Sequence, residues 1–193
     1  VETKHRINTV LQLRVHPELI RLRQALQAAS GQHDVILTYI TSRGPWYHVS
    51  WKGQPDKSGG VATNIGVHFF DLLLWLFVSF AGIKVYHSDN QRMSGFIELE
   101  RARVRWFLSV DSQDLPLAAK AGGKTTFRSI TVDGKEIEFS EGFTDLHTRV
   151  YEETLAGRGF GIAEARPSIE LTYAIRTASI SPKDECVHPL LNK

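Results

Sequence analysis

Apolar positions recur along the chain with two periods, and the alternation between them outlines the elements. Thr9 to Arg14 alternates loosely and predicts a short strand. From Pro17, which a first helical turn tolerates, Leu19, Ile20, Leu22, Leu26 and Ala29 keep helical spacing until Gly31. Val35 to Thr41 is β-branched, aromatic and apolar and reads as a strand. Ser42 to Ser58 has little periodicity and reads as a long irregular loop. Gly59 and Gly60 lead into a helix that runs to about Phe77. Strands follow at Ile83–His87, Ser94–Leu99, Val104–Val110, Thr125–Val132 and Glu136–Phe139, the last two joined by the Asp133-Gly134 turn pair. Helical spacing returns over Thr144–Ala156 and, after a Gly-rich break, over Ile162–Ala178.

Strands joined by short turns favour antiparallel pairing. The expected fold class is therefore α+β: a large, open, mostly antiparallel sheet with helices on one face. The other sheet face must be covered or solvated. A length of 193 residues suits one domain with a sizeable core, taken as 1–193. A start at Val1 rather than Met suits a piece of a longer chain.

Composition narrows the function classes. Hydrophobic residues at 42% and charged residues at 23% are ordinary for a globular domain. A formal net charge of +2 with no long basic stripe argues against a nucleic-acid partner. The most apolar run, Leu72 to Gly82, is about half the ~20 residues a membrane span needs, so no membrane partner is expected. A single cysteine, Cys186, excludes an internal disulfide and fits a cytoplasmic protein. Its place in a Pro- and charge-rich tail makes it a poor nucleophile. The eight histidines are scattered without HxxxH spacing, so no metal is expected.

The candidate chemistry lies on the helix after Gly60. Asn64, His68 and Asp71, spaced by four and three, share one face of a helix that is otherwise apolar: Ile65, Val67, Phe69, Phe70, Leu72, Leu73, Leu74 and Trp75 surround them. A buried polar stripe needs partners, either protein or ligand. His68 is then either a histidine bonded to a backbone carbonyl or a general acid/base titrating near neutrality. Asp71 suits a supporting role. Ser58, Gly59 and Gly60 at the helix entry are either a tight turn or a close approach for an anionic ligand. The preceding loop gathers Arg43, Lys52 and Lys57 against one acid, Asp56, together with Trp46, Tyr47 and Trp51. It is either a solvated loop with aromatics tucked beneath it or a cradle for an anionic, ring-bearing ligand. Arg14 either reaches the same cleft or pairs with an acid. His147 and Arg149 read as structural.

The segment Ser58-Gly-Gly-Val-Ala-Thr-Asn-Ile-Gly-Val-His-Phe-Phe-Asp71 resembles the C-domain signature of the glucose–fructose oxidoreductase/inositol dehydrogenase family. Leu11–Pro17, Arg43–Tyr47, Ser50–Gly53, Leu146–Tyr151 and Gly159–Glu170 further resemble a subgroup that oxidises the 3-hydroxyl of UDP-N-acetylglucosaminuronic acid for bacterial lipopolysaccharide. The resemblance implies an N-terminal domain, outside this chain, that binds NAD and supplies a lysine. It implies His68 and Asn64 at the catalytic centre, with Asn64 also within reach of the cofactor. It further implies a UDP-linked uronic acid as substrate, and a dimer or tetramer formed through the sheet. Asn64 stands where the wider family has Asp, and an amide cannot raise the basicity of His68 as a carboxylate would. Gly157-Arg-Gly-Phe-Gly161 falls between two helices and is not a dinucleotide fingerprint. This chain alone is expected to be inactive. The rivals are a related dehydrogenase of another sugar or inositol, and a non-catalytic binding or assembly domain.

Overall fold

A computed structural model describes residues 6–192. In chain order the elements are β1 (Asn8–Thr9), α1 (Pro17–Ala28), β2 (His33–Thr41), α2 (Pro45–Val49), α3 (Pro55–Ser58) and α4 (Val67–Phe77). There follow β3 (Phe80–Ser88), β4 (Arg92–Leu99), β5 (Ala102–Ser109), α5 (Leu117–Ala121), β6 (Thr126–Val132), β7 (Lys135–Glu138), α6 (Leu146–Leu155), β8 (Phe160–Gly161) and α7 (Ile162–Thr177).

Six strands make one sheet in the order β3-β4-β5-β2-β6-β7. Every neighbouring pair is antiparallel except β2 and β5, which run parallel with Val35 opposite Val104 and Leu37 opposite Trp106. That parallel pair needs a long crossover, and residues 42–101 supply it through α4 and the β3-β4 hairpin. The β6-β7 turn forms at Asp133 (φ 50°) and Gly134 (φ 82°), both left-handed as a two-residue hairpin demands.

Alternation divides the sheet. Val35, Leu37, Tyr39, Ile97, Leu99, Val104, Trp106, Leu108, Ile130 and Val132 join Phe69, Phe70, Leu72, Leu73 and Phe77 of α4 in the main core. Helix α4 is apolar nearly all round because it lies between the sheet and α7, whose Leu171 and Ile175 are fully buried. Two smaller clusters form on the opposite face, where the C-terminal tail lies across the strands. Cys186 and Val187 meet Tyr86 and Phe96, and Leu190 packs beside Ile40, Phe107, Leu115 and Phe127. One sheet face is thus helical and the other is partly covered by the C-terminal tail, which ends in a 3-10 turn at Pro189–Asn192.

Three local expectations change. The predicted strand Thr9–Arg14 shrinks to Asn8–Thr9, paired with Phe160–Gly161. Residues Gln12–Val15 curl into a 3-10 turn that buries Leu13 and points Arg14 at Asp71. The loop Ser42–Ser58 contains three short helical turns, at Pro45–Val49, Trp51–Gly53 and Pro55–Ser58. Two open with proline, whose fixed φ suits a first helical position. The helix after Gly60 begins with a π-helical segment, Ala62–Gly66. A side chain at Gly66 would meet Leu108 and the Phe70 ring at 2.8 Å, so glycine lets this wider segment lie against β5. π-Segments inside helices are frequent at functional sites.

Candidate active site

The π-helical segment and the first turn of α4 bring Asn64 and His68 to the wall of one cavity of about 230 Å³. Tyr39 on β2, Arg43 just beyond it, Arg128 on β6, Phe143, and Gln12 and Leu13 in the 3-10 turn complete the lining. The cavity therefore opens where β2 ends and β6 begins, beside the entry of α4.

Asn64 is fixed by what precedes it. Its Nδ2 donates to the Lys52 carbonyl at 2.9 Å and lies 3.4 Å from the Tyr47 hydroxyl. A carbonyl can only accept, so the amide nitrogen must face the loop, and Oδ1 is the atom left for a ligand. His68 is half-buried and its ring forms no side-chain hydrogen bond among the described residues. Burial pushes its pKa below the ordinary histidine value, His147 acts in the same direction, and the Asp71 carboxylate partly opposes them. Neutral imidazole facing a cavity beside an amide oxygen can take a proton from a bound hydroxyl.

Asp71 turns away from that cavity. It is 2% exposed and receives the Arg14 guanidinium through both oxygens, from Nη2 at 2.7 Å and Nε at 3.0 Å. Arg14 also donates to the Glu164 carbonyl and covers the Phe160 ring. Of the two readings open for Arg14, substrate binding in the cleft or pairing with an acid, the structure shows the pairing, which joins the 3-10 turn, α4 and α7.

The loop candidates divide. Arg43 lines the cavity. Trp46 and Trp51 are exposed, with the Lys52 ammonium about equally far from both rings, at 5.8 and 5.9 Å. Lys57 is exposed. Tyr47 is buried, so its hydroxyl meets Asn64 and its ring presents no face to a sugar. Ser58 is buried; its Oγ donates to the Gln54 carbonyl and accepts from the Gly60 N–H. The Gly59 N–H donates to the Pro55 carbonyl, so both glycine amides are used within the turn. Both glycines have positive φ, and a Cβ on Gly59 would meet Thr63 Oγ1 at 2.3 Å. Packing and backbone conformation account for the glycine pair without a ligand.

Arg128 escaped the sequence reading. Its guanidinium carbon lies 3.9 Å from the Phe143 ring centroid and 5.0 Å from that of Tyr39. Burial works against its charge, Arg43 does so as well, and the Tyr39 hydroxyl compensates in part. A signal was present: Arg128 alternates in phase with Ile130 and Val132, which places a charge at an inward position of a strand.

Among the described residues, no group of three or more His, Cys, Asp or Glu is placed to hold a metal, and no helix is long and apolar enough to cross a membrane. Cys186 is buried, with the Arg103 guanidinium 3.3 Å from its sulfur.

Residues 33–98 match the family model described as oxidoreductase family, C-terminal alpha/beta domain. The structure of the WlbA (WbpB) dehydrogenase from Thermus thermophilus in complex with NAD and UDP-GlcNAcA superimposes with a TM-score of 0.93 at 53% identity, covering 97% of this chain and 61% of that one. The same Thermus protein with NAD and α-ketoglutarate gives a TM-score of 0.92 at 54% identity, over 95% of this chain and 60% of that one. The WlbA dehydrogenase from Bordetella pertussis, in complex with NADH and UDP-GlcNAcA, shares the fold at 19% identity and a TM-score of 0.68, over 88% and 60% of the two chains. This chain spans about three-fifths of the length of the solved structures it matches.

Proposed function

We propose, from the premise that this chain is the C-terminal α/β domain of a member of that oxidoreductase family, that it forms the substrate side of an NAD-dependent enzyme. The reaction is oxidation of the 3-hydroxyl of UDP-N-acetylglucosaminuronic acid. The observation that carries this reading is the cavity in which a neutral, unpartnered His68 ring stands beside Asn64 and two arginines.

The cavity holds about one sugar ring, not a dinucleotide, and the described residues contain no parallel strand–helix–strand unit with a glycine fingerprint for pyrophosphate. The residues here fit the reacting end alone, and most of the cofactor falls to the rest of the full-length protein. When bound, the nicotinamide supplies the acceptor for the hydride that leaves C3. His68 accepts the hydroxyl proton as the carbon–oxygen bond becomes a carbonyl. Asn64, its nitrogen tied to the loop, offers Oδ1 to orient the hydroxyl or the carboxamide of the nicotinamide. Lys52, exposed beside Trp46 and Trp51, and the exposed Lys57 suit the pyrophosphate and uracil outside the cavity. An enzyme of this kind would serve lipopolysaccharide precursor synthesis in the cytoplasm. Its second sheet face, with Ile36 and Phe127 only partly covered, suits assembly with further copies.

The test uses the full-length protein with NAD and, separately, UDP-N-acetylglucosaminuronic acid, UDP-N-acetylglucosamine and a free hexose. Mass spectrometry should find loss of two hydrogens from the uronic acid and little from the others. Oxidation of another sugar alone would keep the family and discard the substrate. No oxidation with cofactor bound would favour an assembly role.

A further inference from the structure

Arg128 is the one inward-facing cation of the helical sheet face that reaches the His68 cavity without meeting an acid among the described residues. Of the other partly buried arginines, Arg14 meets Asp71, Arg92 meets Asp111 and Asp114, and Arg105 meets Asp34, while Arg23 lies over Trp75 and Arg101 donates to backbone carbonyls, neither of them lining this cavity. Arg128 is nonetheless held firmly. Its backbone N–H donates to Ser140 Oγ at 2.8 Å, its Nη1 donates to the Ser140 carbonyl at 3.1 Å, and its guanidinium lies over Phe143. A guanidinium has five N–H donors. One goes to Ser140 and the Tyr39 hydroxyl stands beside it, which leaves donors for a ligand in the cavity. Arg43 lines the same space. Two cations facing one small cavity leave a positive field that an incoming anion would neutralise.

The size of the cavity decides which anion. About 230 Å³ beside His68 is on the scale of one sugar ring, and in the proposed reaction the ring being oxidised lies there. The negative group that arrives next to His68 is therefore one carried on the ring itself.

We propose that Arg128 is the specificity-determining residue for the ring carboxylate, selecting a nucleotide-linked hexuronate over the neutral hexose of the same nucleotide. The inference rests on the function proposed above. Planar pairing with two parallel N–H donors would suit a carboxylate, and a primary hydroxyl would gain little from it. Arg43, exposed and lining the same cavity, adds charge without the aromatic clamp.

Equilibrium binding of UDP-N-acetylglucosaminuronic acid and UDP-N-acetylglucosamine to the NAD-loaded full-length protein tests this, with wild type, Arg128→Gln and Arg128→Lys compared. A lost hydrogen-bonded charge pair predicts that Arg128→Gln weakens the uronic acid about 10- to 100-fold, with the neutral sugar changed less than about threefold. Arg128→Lys should recover part of the preference. If Arg128 merely braces the Ser140–Phe143 segment, both ligands weaken in proportion and the preference survives, which overturns the inference. A wild type that prefers the uronic acid, with variants that prefer it equally, removes Arg128 while leaving the substrate reading intact. A wild type with no such preference removes both. Should Arg128→Gln fail to fold, the ratio measured on Arg128→Lys decides alone.

Discussion

At Asp71 two demands meet. The carboxylate is nearly inaccessible, and its bidentate contact with Arg14 joins three parts of the chain. Removing one member of a buried pair leaves the other uncompensated, at a cost of about 3–5 kcal/mol. Asp71→Asn should therefore lower the urea-unfolding free energy of the domain by about that amount, and a change under about 0.5 kcal/mol, the size of an ordinary surface substitution, would contradict the account. His68 and Asn64 were legible as a pair because a spacing of four keeps residues adjacent on a helix, and the π-helical start preserved their common cavity. The third member of the stripe, Asp71, finds its partner within the protein: a buried carboxylate goes where a cation can pair with it, and here that cation is Arg14.

Among the elements, strands with clean alternation and the Asp133-Gly134 hairpin were readable because pleat and turn chemistry are local. The parallel partnership of β2 and β5 was not, since 60 residues of crossover leave no turn signal between them. The C-terminal tail was equally silent. Residues 181–192 have little periodicity, yet they cover part of the second sheet face, and His188 is their anchor. The His188 ring stacks on Phe107, its Nδ1 accepts the Leu190 N–H, and Nε2 lies 3.1 Å from Thr38 Oγ1. With Nδ1 accepting, the neutral ring carries its proton on Nε2, and charging it would aim a second N–H at that of Leu190. Burial is the main cause that depresses its pKa to about 3, and Arg105 adds to it. The unfolded chain binds this proton near pH 6.5 and the folded chain only near about 3. Stability from the neutral ring is thus complete above pH 6.5 and declines as pH falls from there toward the folded value, by up to about 1.4 kcal/mol per unit. Unfolding compared at pH 7 and pH 5 should show that extra loss in wild type and lack it in His188→Gln. Equal slopes would remove His188 as the linked group.

For the whole molecule, the proposed function makes the open sheet, the helical layer and the cavity where β2 ends and β6 begins one half of a reaction centre. The chain spans about three-fifths of the length of the dehydrogenases it matches, and its cavity of about 230 Å³ is on the scale of one sugar ring. Catalysis in this account requires the remainder of the protein to bring the hydride acceptor against His68. The sheet order and the cation pair became visible only in three dimensions, whereas the chemistry-bearing helix was already marked in one.

The most direct measurement is kcat/KM for UDP-N-acetylglucosaminuronic acid oxidation by the full-length protein across pH, for wild type and His68→Ala. Burial lowers the His68 pKa from 6.5, so the base form persists at neutrality. The account predicts a wild-type rate that holds through pH 7 and falls with one proton only below about pH 6.5. It predicts a variant slower by about 10²–10⁴ that has lost this limb. A His68→Ala enzyme within a few-fold of wild type, or one with the same acid limb, would contradict the assignment of His68 as the proton acceptor.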